Sequence, residues 1–196
     1  NGRIRYDHIG EGGYEETEAR IVRLLSEAKN GKVEMNESQP DAAYVEPYKI
    51  GTPEIYFGQN FRRAPLGNTQ PIFIGQKFDA AIPSGELVPN IAYLEGEWEN
   101  GADGVRLASQ KGAVELVFTA KNVNIVAGSA NTTKLTIYID GKRVEKQDYC
   151  PDAPFGTCTV DKQRLYSIVV LPDYGKHRLK IEADGAGLEL FTFTFG

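Results

Sequence analysis

Cys150 and Cys158 bracket the segment CPDAPFGTC and are the residues whose type and spacing first suggest chemistry. Their C-x7-C spacing is not the C-x-x-C of a dithiol redox centre. Pro151, Pro154 and Gly156 between them mark a loop. A disulfide would close that loop and would belong to an oxidising compartment. The disulfide is preferred here to the alternative of two free thiols. A structural zinc site needs a full tetrahedral set of ligands. The other Cys or His candidates, His8 and His177, are distant in sequence, so no metal is expected.

A nucleophile would need a base beside it. His8 belongs to the front segment and His177 begins a strand-like run, and neither has the context of a triad. No catalytic residue and no cofactor is therefore expected. Glu95, Glu97 and Glu99 alternate and share one strand face, which should be exposed. Spacing alone does not identify glycosidase carboxylates. Asn100–Gly104 and Asp140-Gly141 offer oxygen ligands, but they lack an EF-hand pattern and are explained as turns. The glycines of HIGEGGYEETEARIVRLL, at 8–25, form neither a dinucleotide fingerprint nor a P-loop. Three glutamates follow them, which argues against a bound phosphate.

Aromatic rings stack on sugars, and here the candidates are Tyr138, Tyr149, Phe155 and Tyr174. Tyr138 lies opposite the Leu135/Ile137/Ile139 face and belongs to an exposed platform with Thr136. Tyr149, Phe155 and Tyr174 lie in expected loops, where binding residues concentrate. Trp98 shares a strand face with Leu94, so packing explains it better than binding.

The elements that must position these residues follow from periodicity. Arg3–His8 alternates and reads as a strand after an Asn1-Gly2 turn. Tyr14, Ile21, Leu24, Leu25 and Ala28 recur at helical spacing, so a helix should run from about Tyr14 to Lys29. Glutamates in its first turn and Lys29 in its last suit the helix dipole, and Asn30-Gly31 is a C-cap signal. Residues 32–48 read as a linker. Thr52–Pro65 reads as an ordered connector, because Tyr56, Phe57 and Phe61 are costly to leave in water.

From residue 70 onward short alternating runs recur between turns, with no helical pattern. They include IAYLEGEW (91–98), AVELVFTA (113–120), KLTIYID (134–140), RLYSIVVL (164–171), HRLKIEA (177–183) and LELFTFTF (188–195). The expected turns are Asp140-Gly141, Asp173-Tyr174-Gly175 and Asp184-Gly185. Such spacing means an all-β sandwich or barrel. Val114/Leu116/Phe118, Leu135/Ile137/Ile139 and Phe191/Phe193/Phe195 should line its core. The expected fold is mainly β: a jelly-roll-like antiparallel β-sandwich preceded by a strand and helix.

The 196 residues carry 22 basic and 27 acidic side chains, a net charge of -5. Neutralising a nucleic-acid backbone needs clustered Lys and Arg, so nucleic acid is not an expected partner. No apolar run reaches bilayer-spanning length, and no signal peptide is visible.

GRIRYDHIGEGGYEETE with IVRLL resembles the end of the thioredoxin-like domain of DipZ-type proteins, a thiol–disulfide and cytochrome c biogenesis family. The resemblance extends through TPEIYFG, Arg62-Arg63-Ala64, LEGEW, ELVFTAKNVNIV, the IDG turn and FTFTFG. It implies the last strand and helix of a thioredoxin-like domain over 1–31, a linker and connector over 32–69, and a carbohydrate-binding-module-like sandwich over 70–196. The family's C-x-x-C and cis-proline would precede Asn1, so its redox residues have no positions here. The resemblance further implies a non-catalytic module for carbohydrate or protein, beside a thioredoxin-like domain in a parent oxidoreductase. It places that parent in an extracytoplasmic, periplasmic setting. The helix, left without its sheet, is an expected site of self-association.

Overall fold

The computed structural model describes residues 4–7, 14–29, 51–68, 73–145 and 150–196. The chain divides into two compact units, Asn1–Ile50 and Gly51–Gly196.

In the first unit, helix α1 spans Tyr14–Lys29, as its apolar spacing predicts. Arg23 pairs with Glu27 one turn on, and Arg5 reaches the same Glu27 at 3.1 Å. Ile21, Leu24 and Leu25, the middle of the apolar stripe, are exposed. Ile4–Asp7 form no strand, contrary to the alternating pattern. Alternation selects a strand only where a neighbour takes up its backbone hydrogen bonds, and none of the described residues does so. The expected Asn1-Gly2 turn and the linker over 32–48 lie outside the described residues.

The second unit is antiparallel β throughout. Its strands are β1 (Ile55–Tyr56), β2 (Lys77–Ala80), β3 (Tyr93–Asn100), β4 (Val105–Leu107), β5 (Lys111–Ser129), β6 (Thr133–Ile139), β7 (Lys142–Arg143), β8 (Thr157–Val160), β9 (Arg164–Asp184) and β10 (Leu188–Phe195). The compact unit begins at Gly51 rather than at 70. The connector is part of it: β1 pairs with the end of β10, and Phe57 is fully buried with its ring 5.4 Å from that of Phe193. Of the three connector aromatics expected to pack, Phe57 does so fully and Tyr56 partly, whereas Phe61 is exposed.

Two long strands build the sandwich. The first part of β5 pairs with β3 and with the second half of β9. Its last part pairs with the first half of β9 and with β10. Register breaks between Ala120 and Asn122, and again between Val123 and Asn124, bend the strand where it changes neighbours. β4 joins β3 to β10, so the hydrogen-bonded path β3–β4–β10–β5 closes on itself. β6 lies on the outer side of the second half of β9 and is followed by β7 and β8. The result is the jelly-roll-like sandwich that the short alternating runs predict.

Trp98, Tyr166, Phe57, Phe118 and Phe193 are the largest fully buried side chains. Val114, Leu116 and Phe118 are buried together, as are Leu135 and Ile137. The Phe191/Phe193/Phe195 face is different. A register shift between Leu190 and Thr192 moves Phe191 off the core face, so Leu188, Leu190 and Phe193 point inward. Strict alternation fails there because one inserted residue reverses the side-chain parity. Asp173-Tyr174-Gly175, expected to turn, lies inside continuous β9. Asp140-Gly141 does turn: both have positive φ, 52° and 76°, the type I′ geometry that joins β6 to β7.

Candidate functional site

The outer face of β5, β9 and β6 carries a recess of about 500 Å³. Alternation explains its polarity. Leu179, Ile181 and Ala183 of β9 are buried, so Arg178, Lys180 and Glu182 stand on the other face. Register brings the rest into line. Glu115 of β5 and Tyr138 of β6 both pair with Lys180, one from each side. The Asp140-Gly141 turn closes one end.

The recess is held by ion pairs. Glu115, only 7% exposed, accepts Nε and Nη2 of Arg178 on its Oε2 at 3.0 and 2.5 Å. Lys180 Nζ lies 2.9 Å from Glu182 Oε1. Tyr138 donates its hydroxyl to Glu182 Oε2 at 3.0 Å. That bond, with smaller contributions from burial and from the charge of Glu182, raises the Tyr138 pKa. The hydrogen bond from Lys180 holds the Glu182 carboxyl below the ordinary range, against a smaller opposing effect of burial. Burial would raise Asp140, but hydrogen bonds from the His177 ring, 2.8 Å away, and from the Arg178 N–H together lower it. The arrangement sets donors beside acceptors on a half-open floor with one aromatic ring at its side.

Of the four aromatics singled out in the sequence, Tyr138 alone lines this recess. Phe155 is 65% exposed in the loop before β8. Tyr174 lies within β9, its hydroxyl so close to Gly51 that a Cβ there would come within 2.1 Å of it. Tyr149 and His8 lie outside the described residues. Glu115, Arg178, Lys180 and Glu182 carry the recess, yet none stood out in the sequence. Their signal was the polar half of ELVF and RLKIE, which takes on meaning only once register places the strands side by side.

Cys150 and Cys158 are free, buried thiols, against the expected disulfide. Cys150 donates its S–H to the carbonyl of Ser167 at 3.0 Å, while Asp152 accepts the N–H of the same residue at 2.8 Å. The loop thus uses two side chains to occupy a strand's backbone groups. Burial pushes the Cys158 thiol up to about 12.

Asn100 is fully buried and binds the Phe73 carbonyl, Gln59 and Arg62, which accounts for it without a cation. Among the described residues no cluster of His, Cys, Asp and Glu could hold a metal ion, and no helix is long and apolar enough to cross a membrane.

The chain is 27% identical over 199 residues to Protein DipZ of Mycobacterium bovis and to that of Mycobacterium tuberculosis. It is covered completely but spans only 26% of the length of those relatives. Among solved structures, a family two carbohydrate esterase from Clostridium thermocellum, in complex with cellohexaose, superposes with a TM-score of 0.45 at 16% identity. That match covers 54% of this chain and 31% of the esterase. A family two carbohydrate esterase from Cellvibrio japonicus gives 0.43 at 14% identity, over 61% of this chain and 32% of its own. The family model for the thioredoxin-like C-terminal domain matches residues 52–196, which is the compact β unit, and the chain therefore belongs to that family, as a DipZ-type C-terminal region.

Proposed function

We propose that the β-sandwich is a non-catalytic binding module that takes a carbohydrate on the face formed by β5, β9 and β6. The observation that carries this reading is the recess itself. Tyr138 offers an aromatic face with a polar tip, flanked by Glu115, Arg178, Lys180 and Glu182. Sugar rings need apolar stacking together with mixed donors and acceptors, and this floor supplies both. The test is a titration of the 196-residue chain with a broad oligosaccharide panel, followed by amide NMR. Chemical-shift changes confined to the recess and abolished in Tyr138→Ala are expected. Silence across the panel would sink the reading.

A second reading is favoured by membership of a family described as thioredoxin-like. In it the sandwich is an accessory that positions a redox domain or its substrate within a longer thiol–disulfide oxidoreductase, outside the cytoplasm. Insulin reduction should then be absent from this chain and present in a longer one. An inert longer protein argues against it. The exposed Ile21, Leu24 and Leu25 of α1 support a third role in self-association, which light scattering showing only monomer would remove.

A further inference from the structure

We propose that the recess selects a neutral, hydroxyl-bearing ring and rejects a carboxylate-bearing one, because each of its cations is already held by a carboxylate. This rests on the reading of the recess as a saccharide site and adds a charge rule to it.

Arg178 is committed to Glu115 through two N–H groups, and Lys180 to Glu182. Counting the Asp140 turn, three carboxylates line the recess against these two cations. Glu115 of the neighbouring β5 and Glu95 of β3, one strand further, also act on Lys180. Arg143 of β7 and Lys111 of β5 are exposed and do not line the recess; from outside it Arg143 acts on Tyr138 and Lys111 on Glu182, as Glu95 acts on Lys180. An incoming carboxylate would meet Glu115, Glu182 and Asp140 together, and cations already paired with two of these acids offset little of that repulsion. A hydroxyl meets no such conflict. It donates and accepts at once, so it can bridge a carboxylate oxygen and an N–H of the same ion pair without separating them. Paired charges therefore become a surface matched to vicinal hydroxyls, and the occupied cations act as the element that discriminates against acids.

Two arms of one experiment test this. The unmodified chain is titrated by NMR with neutral hexasaccharides of differing linkage and with an oligogalacturonide of the same length. A neutral sugar should move the Tyr138 and Lys180 amides, with the uronide weaker by about tenfold or more at moderate salt. Glu182→Gln then releases Lys180 and should improve the uronide relative to the neutral sugar by roughly fivefold. Lys180→Gln, which widens the excess of acids, should shift the ratio the other way. A uronide that binds the unmodified chain as well as a neutral sugar overturns the charge rule while the saccharide reading stands. A preference that does not move in the two folded variants also overturns it. If no sugar perturbs the recess, both readings fall.

Discussion

Tyr166 and Tyr138 show the same chemistry put to opposite uses. Tyr166 has Arg164 over its ring at 3.7 Å, an Asp152–Arg164 pair at 2.7 Å, and hydroxyl contacts with Asp161 and Lys162. Tyr138 has a carboxylate on its hydroxyl and a lysine on that carboxylate. Each is a tyrosine, an acid and a base on adjacent backbone. The difference is burial. Tyr166 is fully enclosed, its hydroxyl gives 2.7 Å to the Lys162 carbonyl, and the cluster fixes how β9 begins. Tyr138 is half-exposed on an open floor. A tyrosine sealed from water beneath its polar partners stabilises the fold, whereas one left open beside them retains unsatisfied capacity that a ligand can use.

The comparison breaks first at its buried end. Tyr166→Ala should destabilise the sandwich by about 3–5 kcal/mol, as large aromatic deletions in cores do, read by urea denaturation. Tyr166→Phe, which removes the hydroxyl from the exposed Asp161 and Lys162 groups, should cost about 0.5–1.5 kcal/mol. A loss below that range would show the cluster to be ornamental.

Glu115→Ala should cost roughly 1–2 kcal/mol. The carboxylate is nearly buried, but Arg178 keeps access to water, so the loss falls short of that for a fully enclosed pair. Acid should act on both networks together. Asp152, Asp140 and Glu182 all titrate below their ordinary values. A depressed carboxyl contributes stability that is present above the unfolded value near 4 and is lost as pH falls through the folded one. Stability should therefore be flat between about pH 5 and pH 8 and decline below about pH 4 in a series of denaturation curves. For Asp152 the leading cause is the hydrogen bond from Arg164, so Arg164→Gln should make that decline shallower.

Cys158 sharpens the contrast by reactivity. With its thiol pushed up to about 12, almost no thiolate exists at pH 8. A maleimide should leave it unmodified in native protein and label it at once in urea. Rapid native labelling would mean that β8 opens easily. The smallest effect is expected at the open end. Tyr138→Phe should change stability by less than about 0.5 kcal/mol, because it removes one half-buried hydrogen bond that water can replace. A cost near that of Tyr166→Phe would erase the distinction between the two sites.

Much of the fold was legible because burial on one face leaves a period in the chain. The stripe of α1 gave its limits, and Val114, Leu116 and Phe118 declared the core side of β5. Asp140-Gly141 declared its turn through the backbone that those two residues tolerate. The exceptions share a cause. Phe191 sits at a bulge, Tyr174 continues a strand where three turn-forming residues stand, and Ile4–Asp7 alternate without a strand partner among the described residues. Each depends on a neighbour strand that local composition does not name. Of the residues lining the recess, Tyr138 was legible from its strand's own parity and Asp140-Gly141 from their turn-forming types.

Residue order by itself determined the apolar side of β5 and of β6, where the helix runs, and that basic side chains, 22 against 27 acidic, are the minority. Those are properties of spacing and charge, and they survive without knowledge of neighbours. Only the tertiary structure decided that Glu115, Lys180 and Tyr138 form one row, since the three come from separate strands brought together by register. It also decided that Cys150 caps the backbone at Ser167 as a thiol. A hydrogen bond between a side chain and a distant strand depends on how the sheet is assembled, and no local pattern in the sequence encodes that assembly.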